Sequence, residues 1–381
     1  MNQIFPARYA VKTIFFLNGF AHANYYSRLP RIQDLYGFDN GMISVVLLAS
    51  SLGAFLAMPF AGWMVVRNGS RSVGMFSVYM YCGLVPFIAL CPEFGPAFAV
   101  PGLFIVFFLL GVSSGMLDVA MNAQAVMIEQ KWGRPIMTSF HAFFSIGMML
   151  GALTASAFSG MSLLTHLTII TILDLIIITI ARFFVLHDKP EKKQEGPAFR
   201  LPNAAMIGIG MIAFCSMLGE GAMADWSTNY MENFAHANQA LSPIGLSAFA
   251  FAMTIGRVFG DAARLKFGDK RLLIVCGMIS SAGLGLAVLF PDPIMVIAGF
   301  FIVGIGLATI VPIAYSVAGN TKEMPSSVAL AMVTTVGYSA FFFGPPVIGF
   351  ISDIVTLRYA LLLVLLLFFL MTYIGFRYKQ V

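Results

Sequence analysis

Gly111–Gln130 reads Gly-Val-Ser-Ser-Gly-Met-Leu-Asp-Val-Ala-Met-Asn-Ala-Gln-Ala-Val-Met-Ile-Glu-Gln, and it follows the apolar run Val100–Leu110 with no turn signal between them. Taken as one helix, the stretch puts Ser114, Asp118 and Asn122 on one face, because residues four apart stack. Gly111 and Gly115 lie beside that stripe and admit a second helix at close range. An ionisable side chain in so apolar a helix is costly in lipid, so Asp118 must face a protein interior or a water-filled cavity. The rest of the chain reads as the wall around that cavity.

Composition sets the class. The 381 residues are 59% hydrophobic and 10% charged, with a mean hydropathy of +0.88. A soluble domain is about 25% charged. The chain is a polytopic membrane protein, and its first partner is the lipid bilayer. Cys82, Cys91, Cys215 and Cys276 lie in or beside apolar runs without pairing or metal-ligand spacing, and they read as packing residues. No metal site and no cofactor are expected. The first apolar run has no small-x-small cleavage site after it and is expected to stay as helix one. Glycine-rich segments do not follow strands, so no nucleotide motif is credible. No spacing of nucleophile, base and acid supports an enzyme, and nothing points to nucleic acid.

A bilayer core takes about 20 helical residues to cross. On that length the chain holds twelve spans, near 8–28, 41–66, 72–92, 98–129, 137–160, 163–186, 203–231, 243–265, 271–290, 294–318, 325–351 and 355–377. With both termini cytoplasmic, Lys and Arg crowd the inner segments: Arg67, Arg71, Lys131, Arg134, Lys192, Lys193, Arg264, Lys266, Lys270, Arg271 and Lys322 among them. The outer loops hold only Arg28, Arg31 and Arg358, and Arg257 is left within a span. That bias sets the orientation. The polar connection His187–Pro202 separates six spans from six. The expected organisation is an N-terminal six-helix bundle over 1–186, a cytoplasmic linker over 187–202 and a C-terminal six-helix bundle over 203–381.

The halves repeat. Gly62-Trp-Met-Val-Val-Arg67-Asn-Gly69-Ser-Arg71 follows span two, and Gly260-Asp-Ala-Ala-Arg264-Leu-Lys266-Phe-Gly268-Asp-Lys270-Arg271 follows span eight, about 198 residues on. His141-Ala-Phe-Phe-Ser-Ile-Gly147 in span five matches Tyr338-Ser-Ala-Phe-Phe-Phe-Gly344 in span eleven. Gly111 and Gly115 of span four answer to Gly304, Gly306 and Pro312 of span ten. Parallel six-helix repeats joined by a central linker suit a transporter whose two bundles rock against each other.

Taken whole, the chain resembles the major facilitator superfamily. Ser27-Arg-Leu-Pro30, Leu117-Asp-Val-Ala-Met-Asn-Ala-Gln124, Phe140-His-Ala-Phe-Phe-Ser145, Glu220-Gly-Ala-Met-Ala-Asp-Trp226 and Gly337-Tyr with Gly344-Pro-Pro346 resemble its bacterial sugar-permease-like (fucose permease-like) branch, whose substrates are largely unassigned. The resemblance implies a bacterial inner-membrane monomer. It also implies a cytoplasmic gate built from charges of the two repeated turns, here Arg67, Arg71, Arg257, Asp261 and Lys266. The first turn departs from the family pattern, with Val66 where an Asp is usual, so the gate is expected to lean on Asp261, Arg257 and Lys266.

Candidate site residues follow from polar side chains in apolar helices. Asn18, His22 and Tyr25 or Tyr26 share one face of span one. Asp118 and Asn122 share one of span four. His141 with Ser145 and Thr334 with Tyr338 take matching positions in the two halves. In span seven Gly219 and Gly221 flank Glu220, weaken the helix there and could expose backbone to a solute. Trp226 is either an interfacial anchor or a stacking platform. Asn18, His22, Tyr25, Asp118, Asn122, His141, Glu220, Trp226 and Tyr338 are therefore the expected solute contacts, with Asp118 and Glu220 the carboxylates expected to couple protons. Asp174 in span six has no assigned role. The expected function is proton-coupled secondary transport of a small polar solute, sugar-like or amine-bearing, by alternating access at one central site. Two rivals are proton-antiport efflux of amphipathic compounds and a receptor on a transporter fold.

Overall fold

A computed structural model of the chain describes residues 4–133, 136–188, 204–319, 321 and 326–378. Those residues are helical apart from short turns and connections, with no strand among them. Helices are what lipid demands, since each satisfies its own backbone polar groups. Ten of them are long and apolar enough to cross a bilayer. The first helix and the shorter apolar helix Ile244–Gly260 bring the spans to twelve. The chain forms two compact units, Met1–Gln194 and Glu195–Val381. Most of the expected linker, from Lys189 on, lies outside the described residues, as do Arg134 and Lys322.

The first unit holds α1 (Ile4–Tyr26), α2 (Leu29–Tyr36), α3 (Asn40–Asn68), α4 (Ser70–Leu84), α5 (Phe87–Leu90), α6 (Pro96–Trp132), α7 (Met137–Ala157) and α8 (Leu163–Ala181). A 3-10 turn over Cys91–Phe94 continues α4 and α5 into one span. The short α2 was not foreseen. Pro30 starts it, and Gly37, at a φ of 68°, ends it in the left-handed conformation that glycine adopts without strain. Side chains close the helix starts. Asp39 accepts from Met42 N at 2.7 Å to open α3, and Glu129 accepts from Ile136 N and Met137 N at 2.6 and 2.8 Å to open α7.

Within this unit α3 packs along α6, and α1 along α7. Bare glycines make both approaches possible. A Cβ on Gly111 would run into the Ser50 carbonyl, and one on Gly147 into the Phe16 carbonyl. The glycines of the Gly111–Gln130 stretch thus act as expected, seating one helix directly on the backbone of another.

The second unit holds α9 (Ala204–Asn233), α10 (Ile244–Phe267), α11 (Asp269–Leu289), α12 (Pro293–Leu307), α13 (Ile310–Gly319), α14 (Ser326–Ile354) and α15 (Leu357–Arg377). Here α9 packs along α14, and α10 along α12. These are the same pairings, first span with fifth and second with fourth, that order the first unit. One expectation about a helix break changes. The α9 helix runs unbroken past Gly219-Glu220-Gly221, because Gly219 receives the ring of Phe368 and Gly221 that of Phe341. The interruption falls in span ten, where α12 stops at Leu307 and α13 starts at Ile310. Pro345 and Pro346 remain inside α14.

Candidate functional site

In the first unit, three helices carry the polar side chains. On α1 the four-residue spacing turns Asn18 and His22 to one side. Asn18 is buried, and its Nδ2 donates to Met121 Sδ on α6 at 3.9 Å. His22 is half-buried and stacks on Tyr26, with ring centroids 4.1 Å apart and planes 15° apart. Tyr25, beside it, brings its hydroxyl to within 3.2 Å of the Tyr81 hydroxyl on α4. On α6, Asn122 Nδ2 donates to Asp118 Oδ1 at 3.1 Å and to the Asp118 carbonyl at 2.9 Å. Both residues are half-buried. On α7, His141 meets the Phe15 ring edge-on at 5.2 Å, which sets it against α1. The structure therefore ties Asn18 to α6 one residue before Asn122, and His141 to α1.

In the second unit the main feature is an ion pair. Arg257 Nη2 on α10 donates to Glu220 Oε1 on α9 at 3.1 Å, with side chains 14% and 20% exposed. Arg257, grouped by resemblance with the gate charges, is engaged with a candidate solute contact. Trp226 is fully buried, and its Nε1 has no hydrogen-bond partner among the described residues. Tyr338 is half-buried on α14, its ring edge-on to Phe341 at 5.8 Å.

The gate candidates differ between units. Arg67 lies over the Trp63 ring, 5.2 Å from its centroid. Arg71 reaches back to the end of α8, with Nη2 donating to the Arg182 carbonyl at 2.9 Å and Nη1 lying 2.6 Å from His187 Nδ1. Lys266 lies over the Phe267 ring at 5.4 Å. The backbone of Asp261 belongs to α10, but its side chain is outside the described residues.

Sequence reasoning missed the carboxylates that close these turns. Asp188 accepts from the Ser70 backbone N–H, from Ser70 Oγ at 2.6 Å and from Arg71 N at 3.1 Å. Gln124 donates to Ser70 Oγ at 2.8 Å and to the Leu186 carbonyl at 3.0 Å. Asp188 thus places an anion on the positive N-terminal end of α4. In the second unit Asp269, the first residue of α11, takes a two-pronged bond from Arg264 at 2.5 and 3.0 Å. The signal was present: Ser70 and Asp269 each follow the glycine of the repeated turn, and only the second copy has an acid there.

A second missed residue is Arg28. It is buried, and its guanidinium donates to the carbonyls of Phe158 at 2.9 Å, Ser159 at 3.2 Å and Met161 at 2.8 Å. A cation on these carbonyls complements the negative C-terminal end of α7. Burial, and after it the Arg31 charge, pulls Arg28 below its usual value, but a guanidinium starts above about 12 and stays charged. Nearby, His166 Nε2 lies 2.9 Å from Asn24 Oδ1. Among the described residues, no group of three or more His, Cys, Asp or Glu side chains is placed to hold a metal.

The arrangement offers polar groups and one ion pair inside apolar helix packing, in two units built on one pairing scheme. Comparison with known proteins places it. The model of the Major Facilitator Superfamily matches residues 13–260 and 209–380. An uncharacterized MFS-type transporter of Yersinia pestis is 31% identical over 353 residues, covering 92% of this chain and 90% of that one. Among solved structures, a mutant form of the nucleoside transporter NupG superposes with a TM-score of 0.78 at 14% identity, covering 97% of this chain and 99% of that one. The transporter FucP, in an outward conformation, superposes at 0.66 and 16% identity, covering 98% and 99%. These two share the fold. The family and the relative are transporters, not enzymes, and move small solutes across a membrane. The chain belongs to the Major Facilitator Superfamily and is a secondary transporter.

Proposed function

We propose that the protein moves a small polar solute, sugar-like or amine-bearing, by proton-coupled alternating access. The observation that carries this reading is the Glu220–Arg257 pair, a charged couple at 3.1 Å between two membrane helices. Intramembrane charges are rare and mark substrate or ion paths. A proton or a solute donor arriving at Glu220 would displace Arg257, so binding and helix contact are linked at this position. Asp118, bridged by Asn122, is the corresponding carboxylate of the first unit and the other candidate for coupling.

Solute recognition falls to polar side chains of these helices, half-buried at His22, Asn122, His141 and Tyr338 and buried at Asn18, Tyr25 and Trp226. Asn18, His22, Tyr25, Asn122 and His141 offer donors, acceptors and aromatic faces in one unit, and Trp226 and Tyr338 do so in the other. FucP and the nucleoside transporter NupG share this fold, which makes a hexose and a nucleoside the first probes. The proposed setting is the inner membrane of a bacterium, with both termini cytoplasmic and the protein working as a monomer. Arg67, Arg71, Asp261 and Lys266 are proposed as the cytoplasmic gate, with Asp188 and Asp269 stiffening its turns.

The test is uptake into proteoliposomes under an imposed pH gradient, with radiolabelled uridine, L-fucose and an amphipathic dye. Uptake of a polar probe driven by inward proton movement supports the reading. Extrusion of the dye would move the protein to the efflux class. If Asp118→Asn and Glu220→Gln both left gradient-driven uptake unchanged, the coupling assignment would fail.

A further inference from the structure

Asp225 shares α9 with Glu220, and the two carboxylates are treated differently. Glu220 has a guanidinium at 3.1 Å. Asp225 is 7% exposed and makes no hydrogen bond or ion pair with any described residue. Five residues separate them, which is about 140° around the helix at 100° per residue. Arg257 is therefore directed away from Asp225. Asp225 also lies eight residues inside the end of α9, about 12 Å along the axis. Its neighbours are buried as completely: Trp226 at 0%, Ser227 at 1% and Thr228 at 2% exposed. Trp226 Nε1, Ser227 Oγ and Thr228 Oγ1 all lack hydrogen-bond partners among the described residues.

Among the described residues, no cation of the helices packed on α9 is set against Asp225: Arg264 and Lys266 of α10 and Arg377 of α15 lie in the last turns of their helices. On α10, Arg257 is engaged by Glu220. On α15, Arg358 donates to the carbonyls of Val288 and Leu289. On α14, Tyr338 lies against Phe341. Neither α12 nor α13 carries a charged side chain. On α9 itself, Tyr230 donates to the Ala287 carbonyl at 3.0 Å, and Glu232 is a further acid. A bare carboxylate enclosed in this way is strongly unfavourable. A cation that the protein does not supply has to neutralise it.

We propose that Asp225 is a proton-binding site of the transporter, a carboxyl one helical stretch from Glu220 in the second unit that holds a proton of its own and adds to the coupling path. Two kinds of cation could serve, and the helix decides between them. A metal cation needs several oxygen ligands, which transporters draw from unwound backbone. The α9 helix is unbroken from Ala204 to Asn233, so its carbonyls are committed to their own hydrogen bonds. A proton needs only the carboxyl oxygen. The role in coupling rests on the proton-coupled reading above, whereas occupation of Asp225 by a proton does not.

Infrared spectroscopy of the purified full-length protein in lipid vesicles tests the occupation without any solute. Asp174 is also buried, and both its oxygens lack partners, so the work starts from Asp174→Asn to remove that signal. The expected result is a protonated-carboxyl band at neutral pH that Asp225→Asn abolishes, Asp225→Glu retains and Glu220→Gln leaves in place. A band unchanged in intensity in Asp225→Asn overturns the proposal. So does a band that appears only when sodium is withdrawn, which would assign the site to the metal cation. In a second arm, Asp225→Asn should lose pH-gradient-driven uptake of uridine or L-fucose and keep equilibrium exchange of the same probe. Loss of both, or of neither, overturns the coupling role. If the parent protein moves neither probe, the hexose and nucleoside reading of the solute falls and the infrared result still decides the site.

Discussion

Arg257 Nη2 lies 3.1 Å from Glu220 Oε1 and joins α10 to α9 near the middle of both helices. Neither residue suggested the other in the sequence, since 37 positions separate them. Removing one partner of a largely buried pair leaves a charge uncompensated, at a cost of about 3 kcal/mol. Glu220→Gln and Arg257→Gln should each lower the melting temperature of the purified protein. The double variant should recover much of that loss, because it buries no unmatched charge. Simple additivity of the two shifts in a double-mutant cycle would argue against the pair.

Gly111→Ala should disrupt the packing of α3 on α6, because the new methyl meets the Ser50 carbonyl. Overpacking of this kind costs about 1–3 kcal/mol. Gly83 has nothing within 4 Å of its would-be Cβ, and Gly83→Ala should be neutral or stabilising by about 0.5–1 kcal/mol. Fluorescence-detected melting of the two variants side by side reads the contrast. Equal melting temperatures would refute the close approach.

Asp188 holds the start of α4 from a segment more than a hundred residues away, with its carboxylate on Ser70 and Arg71. Asp188→Ala should destabilise the first unit by about 1 kcal/mol, the usual worth of a helix cap. The second unit carries its acid in place as Asp269, and this suggests the compensating change. Ser70→Asp in the Asp188→Ala protein should restore the melting temperature. Failure of that rescue would mean that Asp188 acts on something other than the helix end.

Arg28 fastens the turn after α1 to three carbonyls that follow α7. Hydrogen bonds from a charged donor are worth about 1.5–3 kcal/mol each, and the three share one side chain. Arg28→Met should cost at least about 2 kcal/mol on that scale. Arg28→Lys should recover little, since an ammonium cannot present the planar fork. Full stability of the Lys variant would show that charge alone suffices. Melting of each variant in one detergent is the measurement.

The helices were legible because lipid leaves the backbone no other choice. Runs of about 20 apolar residues became spans, and the starts and ends fell within a few residues of the structure. The candidate polar residues were legible one helix at a time, by four-residue spacing. Their partners were not. Asn122 with Asp118 lies within one helix and was visible, whereas Arg257 with Glu220 and Asp188 with Ser70 join separate segments and were not. The same limit explains α9. Gly219 and Gly221 looked like a weak point, yet the rings of Phe368 and Phe341 fill the space beside them.

Sequence alone therefore determined the class, the twelve spans, the repeat and the set of polar side chains placed in apolar helices. Each of these is a property of local composition or period. Tertiary structure decided which charges are matched, which glycines are approached and which carboxylates are left bare. Those outcomes depend on what neighbouring helices bring to a given depth, and periodicity carries no record of that. The stretch Gly111–Gln130 shows both sides: its spacing announced a helix with a polar stripe, and only the Ser50 carbonyl explains why its first residue has no side chain.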